Sequence, residues 1–277
     1  MHLLDHIYLL LLAVGLPLYS AWSWRRWLAK LAAGYRPRRL RLYLGSMAQL
    51  WLVFGVLAAF WWWLARPPGP LGFSAPGGTG FWLGAVLVVL VTGAFIRSWR
   101  GMAQAGAAER RRYRRELAEL GHMMPRNRRE YAAFVALSVT AGVVEETIFR
   151  GWLLWYLQAW MPLTAAVFVS SALFGLAHWA PQAAGDNAAA YMAWAFAFGL
   201  AAADLTARTG TLGAALGLHM ANNAFALLVL ALAGPGSGLA LWHLPLDAAS
   251  PELAALLPAE FASLLVAWLA ARLVLRV

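Results

Sequence analysis

Apolar runs of about 20 residues recur along this chain, and that is the length a helix needs to cross the hydrocarbon core of a bilayer. They fall at 7–24, 43–65, 81–98, 131–155, 162–179, 189–207, 211–232 and 260–276. A transmembrane barrel would show short alternating segments instead, and the sequence has none. The expected fold class is therefore all-α, a polytopic membrane helix bundle of about eight transmembrane helices. Composition agrees. Hydrophobic residues make up 62% of the chain and charged residues 12%, against roughly a quarter charged in soluble domains. Such a chain could not cover a water-facing surface. The first run follows Asp5 and His6 without a basic leader region, so it reads as a retained span rather than a cleaved signal.

The net charge of +10 invites a nucleic-acid reading, but its distribution supports another cause. Of 22 basic residues, 17 lie in Arg25 to Arg41 and Arg97 to Arg129. Short basic loops mark the cytoplasmic side and favour anionic lipid headgroups. The two loops are separated by two spans, so one orientation satisfies both, and both chain ends then face outward. The other predicted loops carry only Arg66 and Arg208, both outward. The partner implied is a bilayer with anionic headgroups, not nucleic acid. The 16 tryptophans include clusters at Trp22, Trp24 and Trp27 and at Trp61, Trp62 and Trp63, as expected of interfacial belts. The segment Glu109 to Leu120 reads as an amphipathic helix at the membrane surface. Pro67 to Gly80 reads as a loop, Gly234 to Gly238 as the end of span seven, and the stretch to Pro258 as a loop or short surface helix. The absence of cysteine excludes disulfides, thiol catalysis and thiolate metal sites.

Ionisable groups are costly in hydrocarbon and are functional candidates by default. The first three spans carry almost none; from span four onward they gather. Span four holds Glu145 and Glu146, about 100° apart around a helix. Glu146 and Arg150, at i and i+4, share a face and can pair. Glu145 is left free, and an unpaired, desolvated carboxylate is the better base. The alternative for this motif is a structural charge cluster. Span five ends in Phe174 and His178, where an interfacial role is the plainer reading of a single histidine. Span seven places His219 and Asn223 on one face, with Asn222 close by. Two stacked polar side chains can donate to one oxygen, as an oxyanion hole requires, or can bond between helices as packing. Asp204 and Arg208 read as an interfacial ion pair. Gly213 and Gly217 read as a close-packing pattern.

Taken together, Glu-Glu-xxx-Arg on one span, Phe-xxx-His on the next and His-xxx-Asn two spans later, with xxx standing for three residues, resemble the CPBP family. That family includes type II CAAX prenyl endopeptidases and bacteriocin-processing or immunity proteins. The resemblance covers about 130 to 232. It divides the chain into an N-terminal three-span region, 1–130, and a CPBP-like helix core, 131–277. It implies intramembrane hydrolysis of a peptide bond in a membrane-associated peptide or protein. Glu145, helped by His178, would deprotonate water; His219 and Asn223 would hold the oxyanion; Glu146, Arg150 and Phe174 would support the site. No cofactor is expected. The less favoured alternative is a zinc site using Glu145, His178 and His219, since zinc takes about three protein ligands, although the HExxH helix motif is absent. A non-catalytic immunity or scaffold protein is the other alternative. A solute or proton carrier would show internal repeats, and none is seen. A bacterial inner membrane is the expected location.

One tension accompanies this reading. Counted at about 1.5 Å per residue from the start of each span, Glu145 falls in the outer half of the membrane and His178 near the inner face. They can meet only if span four enters late, near Ala136, or if the spans tilt or break.

Overall fold

The computed structural model describes residues 3–35, 38–63, 127–179, 185–228, 230–233, 242–247 and 250–277. The expected span 81–98, the surface helix 109–120, the loop 67–80, the end of span seven at 234–238 and most of the second basic loop lie outside them.

Helix dominates. A nearly continuous N-terminal helix runs through α1 (Leu3–Leu10), a π-turn (Leu11–Gly15) and α2 (Leu16–Ala32). α3 spans Arg39–Trp63 and α4 spans Arg128–Glu146. A second π-turn, Thr147–Leu153, leads into α5 (Leu154–Gln158). α6 (Leu163–Ala177), α7 (Ala188–Thr209) and α8 (Gly213–Leu228) follow, and α9 (Leu257–Leu275) closes the chain.

Five stretches are long and apolar enough to cross a membrane: His6–Trp27, Arg39–Phe60, Arg128–Gln158, Gly185–Thr209 and Pro251–Leu275. They coincide with five of the eight expected spans. α6, at 15 residues, and α8, at 16, are shorter than a full span. Five is thus the count carried by the described residues.

The stretch before Pro258 differs from the expected loop or surface helix. Helix α8 ends at Leu228, short of the expected 232. Strand β1 (Leu230–Ala233) then pairs in parallel with β2 (Trp242–Asp247), with an irregular register between Ala231 and Ala233. A 3-10 segment, Pro251–Leu256, leads into α9. The polar Asn187 side chain ties this segment down by donating from Nδ2 to the Ser250 carbonyl at 2.8 Å.

The core is formed by the middle of the chain. In α4–α5 and in α7, 39% and 44% of the span is buried; in the first, second and last spans it is 12%, 11% and 17%. The outer helices therefore turn most of their apolar surface outward, as lipid-facing helices must. They nonetheless pack directly on the core. Tyr8 stacks on Phe60, Tyr43 meets Phe134 edge-on, and Phe54 stacks on Trp152. Close helix approach depends on small residues, because packing rather than water expulsion joins helices in lipid. A Cβ on Gly175 would lie 3.0 Å from both the Met192 carbonyl oxygen and Phe196 Cβ. One on Gly199 would lie 3.1 Å from Ser171 Cα. α6 and α7 can approach this closely only as glycine-bearing helices.

Candidate functional site

Helix α4 begins at a side-chain cap: Asn127 Oδ1 accepts from the Glu130 backbone N–H at 3.0 Å, satisfying one of the free donors of a helix start. It runs unbroken to Glu145 and Glu146. The Thr147 hydroxyl then donates back to the Val143 carbonyl at 2.7 Å, a competing bond that disturbs a regular helix. The backbone widens at the same place, and the Leu154 N–H reaches Phe149 O, five residues back. Phe149 O also accepts from Ser170 Oγ at 2.7 Å, which locks the π-turn to α6. Turns of this kind are often found at functional sites.

Helices α5 and α6 are joined by a turn of only a few residues, so levels on the two helices are set by distance from that turn. Glu145 lies about 20 Å before the end of α5, and His178 about 22 Å after the start of α6, at about 1.5 Å per residue. They stand level, which removes the tension raised by counting from the start of each span. The whole stretch Arg128–Gln158 has 31 residues, hence about 46 Å of length against a core of about 30 Å. It overhangs or tilts, and its exposed end at Arg128 and Arg129 suits an overhang on the basic side.

Five polar side chains converge here. Arg150 Nη1 donates to Glu146 Oε1 at 3.2 Å, with both side chains fully buried. The expected i, i+4 pair is therefore present, and Glu145 stands apart from it. Glu145, at 28% exposure, places Oε2 3.8 Å from His178 Nε2 and 3.8 Å from His219 Nε2. These separations are too long for direct hydrogen bonds and suit one bridging oxygen atom. His178 caps α6. Its Nδ1 lies 2.8 Å from the Phe174 carbonyl, which can only accept, so Nδ1 carries a proton. In the neutral tautomer set by that bond, Nε2 is bare and faces Glu145.

Phe174 has a second task. Its ring lies under the Arg150 guanidinium at 4.0 Å, a cation–π contact. Arg150 Nε and Nη2 and Glu146 Oε2 make no hydrogen bond. The aromatic face therefore supplements the single ion pair to Glu146 in stabilising the buried guanidinium.

His219 is where the structure adds most to the sequence reading. Its Nδ1 lies 2.6 Å from Glu146 Oε1, so Glu146 serves both Arg150 and His219. The two residues are 73 positions apart, and no local pattern signals their contact. The ring is framed by Phe198 and Phe174, with centroids at 5.3 and 6.3 Å. Asn223 and Asn222 follow on α8, both half-buried. Among the described residues, no group of three or more His, Asp or Glu side chains is arranged to hold a metal ion.

The second expected pair lies away from this cluster. Arg208 Nε donates to Asp204 Oδ1 at 2.7 Å, and Trp268 Nε1 of α9 donates to Asp204 Oδ2 at 2.9 Å. This is an interhelical tie near the end of α7, as the ion-pair reading anticipates.

Residues 127–225 match a family model described as Type II CAAX prenyl endopeptidase Rce1-like. The match spans the cluster from the Asn127 cap to two residues beyond Asn223, within α8. This segment of the chain is thus similar to the Rce1-like CAAX prenyl endopeptidases. No curated protein and no solved structure matches the chain.

Proposed function

We propose that this Rce1-like membrane protein is an intramembrane endopeptidase that hydrolyses a peptide bond with water activated by glutamate and histidine. The observation that carries the reading is the position of Glu145. It is the one carboxylate of the cluster not committed to Arg150, and its Oε2 faces the Nε2 atoms of two histidines at 3.8 Å each.

A water bound there donates one hydrogen to Glu145 Oε2 and the other to the bare Nε2 of His178. Glu145 takes the first proton as the oxygen attacks the scissile carbonyl carbon. His219 and Asn223 receive the oxyanion. Collapse of the tetrahedral intermediate breaks the C–N bond, and protonated Glu145 returns its proton to the leaving amine. No side chain is acylated. Glu146, Arg150 and Phe174 support the site. No cofactor takes part.

The substrate class is a membrane-anchored peptide or protein. Bacteria lack ordinary prenylated CAAX substrates, so in a bacterial inner membrane a peptide or a membrane-anchored C-terminal tail fits better. Anionic headgroups would hold the basic loops on the cytoplasmic side.

The test begins with substrate capture by a Glu145→Ala protein, read by mass spectrometry, and continues with turnover of the captured peptide. Glu145→Gln should fold in detergent and lose about 10²–10⁴-fold in turnover, the usual share of general base catalysis. More than about a tenth of the activity retained would sink the assignment and favour the scaffold alternative.

A further inference from the structure

The Glu146–His219 contact constrains what His219 can do. A carboxylate accepts and does not donate, so the proton between Glu146 Oε1 and His219 Nδ1 belongs to the imidazole. In a neutral ring, Nε2 would then be bare. A bare nitrogen repels an oxyanion and cannot hold one. His219 can donate from Nε2 only when both nitrogens carry protons.

Three observations favour the doubly protonated form. His219 Nδ1 makes a close hydrogen bond to the fully buried Glu146 carboxylate, at 2.6 Å, the kind of partner that forms charge-assisted bonds. His219 Nε2 faces a second carboxylate, Glu145, at 3.8 Å. The local charges also balance. The groups facing the ring are Glu145, Glu146 and Arg150, with His178 across Glu145. With His219 neutral, the fully buried Glu146 and the partly exposed Glu145 oppose one guanidinium, and an excess charge beside a buried group is costly. With His219 charged, positive and negative are equal.

We infer that Glu146 is a positioning residue that holds His219 as an imidazolium, so that a positively charged Nε2–H donor stands ready at the oxyanion position. The inference rests on the peptidase reading and deepens it. Glu146 does more than brace Arg150: it fixes the orientation of the ring and supplies the counter-charge that keeps its second proton. The arrangement follows the logic by which a buried carboxylate orients and stabilises a catalytic imidazolium.

The experiment uses the full-length protein in lipid nanodiscs, with ¹⁵N-labelled histidine. The His219 resonances are assigned by their loss in His219→Gln. Both ring nitrogens should be protonated at neutral pH in the unmodified protein. A neutral His219 with a bare Nε2 would overturn the inference, whatever any variant does. Glu146→Gln should convert the ring to the neutral form and lower kcat about 10²–10³-fold, the usual loss for an oxyanion donor, with KM for the captured peptide little changed. Glu146→Asp should keep the doubly protonated signature and recover much of kcat. A Glu146→Gln protein that folds, keeps His219 charged and loses only stability would reduce Glu146 to a brace for Arg150 and overturn the inference. Should that variant not fold, the spectrum of the unmodified protein still decides. Failure of the peptidase reading looks different: Glu145→Gln remains active while His219 is still charged.

Discussion

Two carboxylate–arginine pairs with the same four-residue spacing lie in two regions of this molecule. Asp204–Arg208 sits near the end of α7, with Arg208 42% exposed, and its 2.7 Å bond is the shorter. Glu146–Arg150 lies in the π-turn region of the core at 3.2 Å, with both side chains fully buried. Shortness and importance run in opposite directions. The exposed pair exchanges one set of partners for water at little cost. The buried pair has no such exchange available, and its carboxylate also holds His219. The lesson is that i, i+4 spacing predicts contact, whereas burial and the third partner determine what the contact does.

The sharpest way to break this contrast is to remove one arginine at a time. Arg150→Ala leaves Glu146 buried beside His219 with one cation fewer and removes the cation resting on Phe174. Stranding a buried charge costs about 3–5 kcal/mol, so yield and melting temperature should fall together with activity. A stable but inactive Arg150→Ala protein would instead put Arg150 in contact with the reaction.

Asn223 separates the oxyanion half of the site from its supports. Asn223→Ala should lose about 10²–10³-fold in turnover with melting temperature held, because its half-buried amide is not part of the Glu146 network. A loss of stability without a matching loss of kcat would make Asn223 packing between helices and leave His219 as the oxyanion donor on that face. Arg208→Ala is the counterpart expected to do least to stability. Asp204 keeps its bond from Trp268, and an exposed pair is worth about 0–1 kcal/mol. A loss as large as that of Arg150→Ala would erase the distinction between the two regions.

What was legible in the sequence follows the range of the interaction. Spans four and six come out within a few residues because their apolar runs are continuous, and the Glu146–Arg150 and Asp204–Arg208 pairs follow from helical periodicity alone. The level placement of Glu145 and His178 was equally present in the sequence. It is hidden when each helix is measured from its own start and plain when both are measured from the turn they share. The π-turn after Glu146 and the Ser170–Phe149 bond that fixes it have no local signature. Nor has the Glu146–His219 contact, which depends on how α4 and α8 pack. The β1–β2 pair was missed because Leu230–Ala233 continues the apolar run of α8, and hydropathy cannot tell a strand from the last turn of a helix.

The smallest expected effect is that of a chelator. The same histidines could serve a metal or an oxyanion, and the carboxylate behind His219 is of little help in choosing, since carboxylates also orient metal-binding histidines. The proton on Nε2 chooses. A metal requires neutral imidazole, whereas the oxyanion needs the donor. Asn223, one turn beyond His219, is a good donor but a poor zinc ligand. Prolonged chelation should therefore leave turnover unchanged, and elemental analysis of the purified protein should find no stoichiometric zinc. Inactivation reversed specifically by added zinc would make His178 and His219 ligands. It would also strip Nε2 of its proton, and with it the role drawn for Glu146, so that Glu146→Gln would lower zinc affinity instead of the charge on His219.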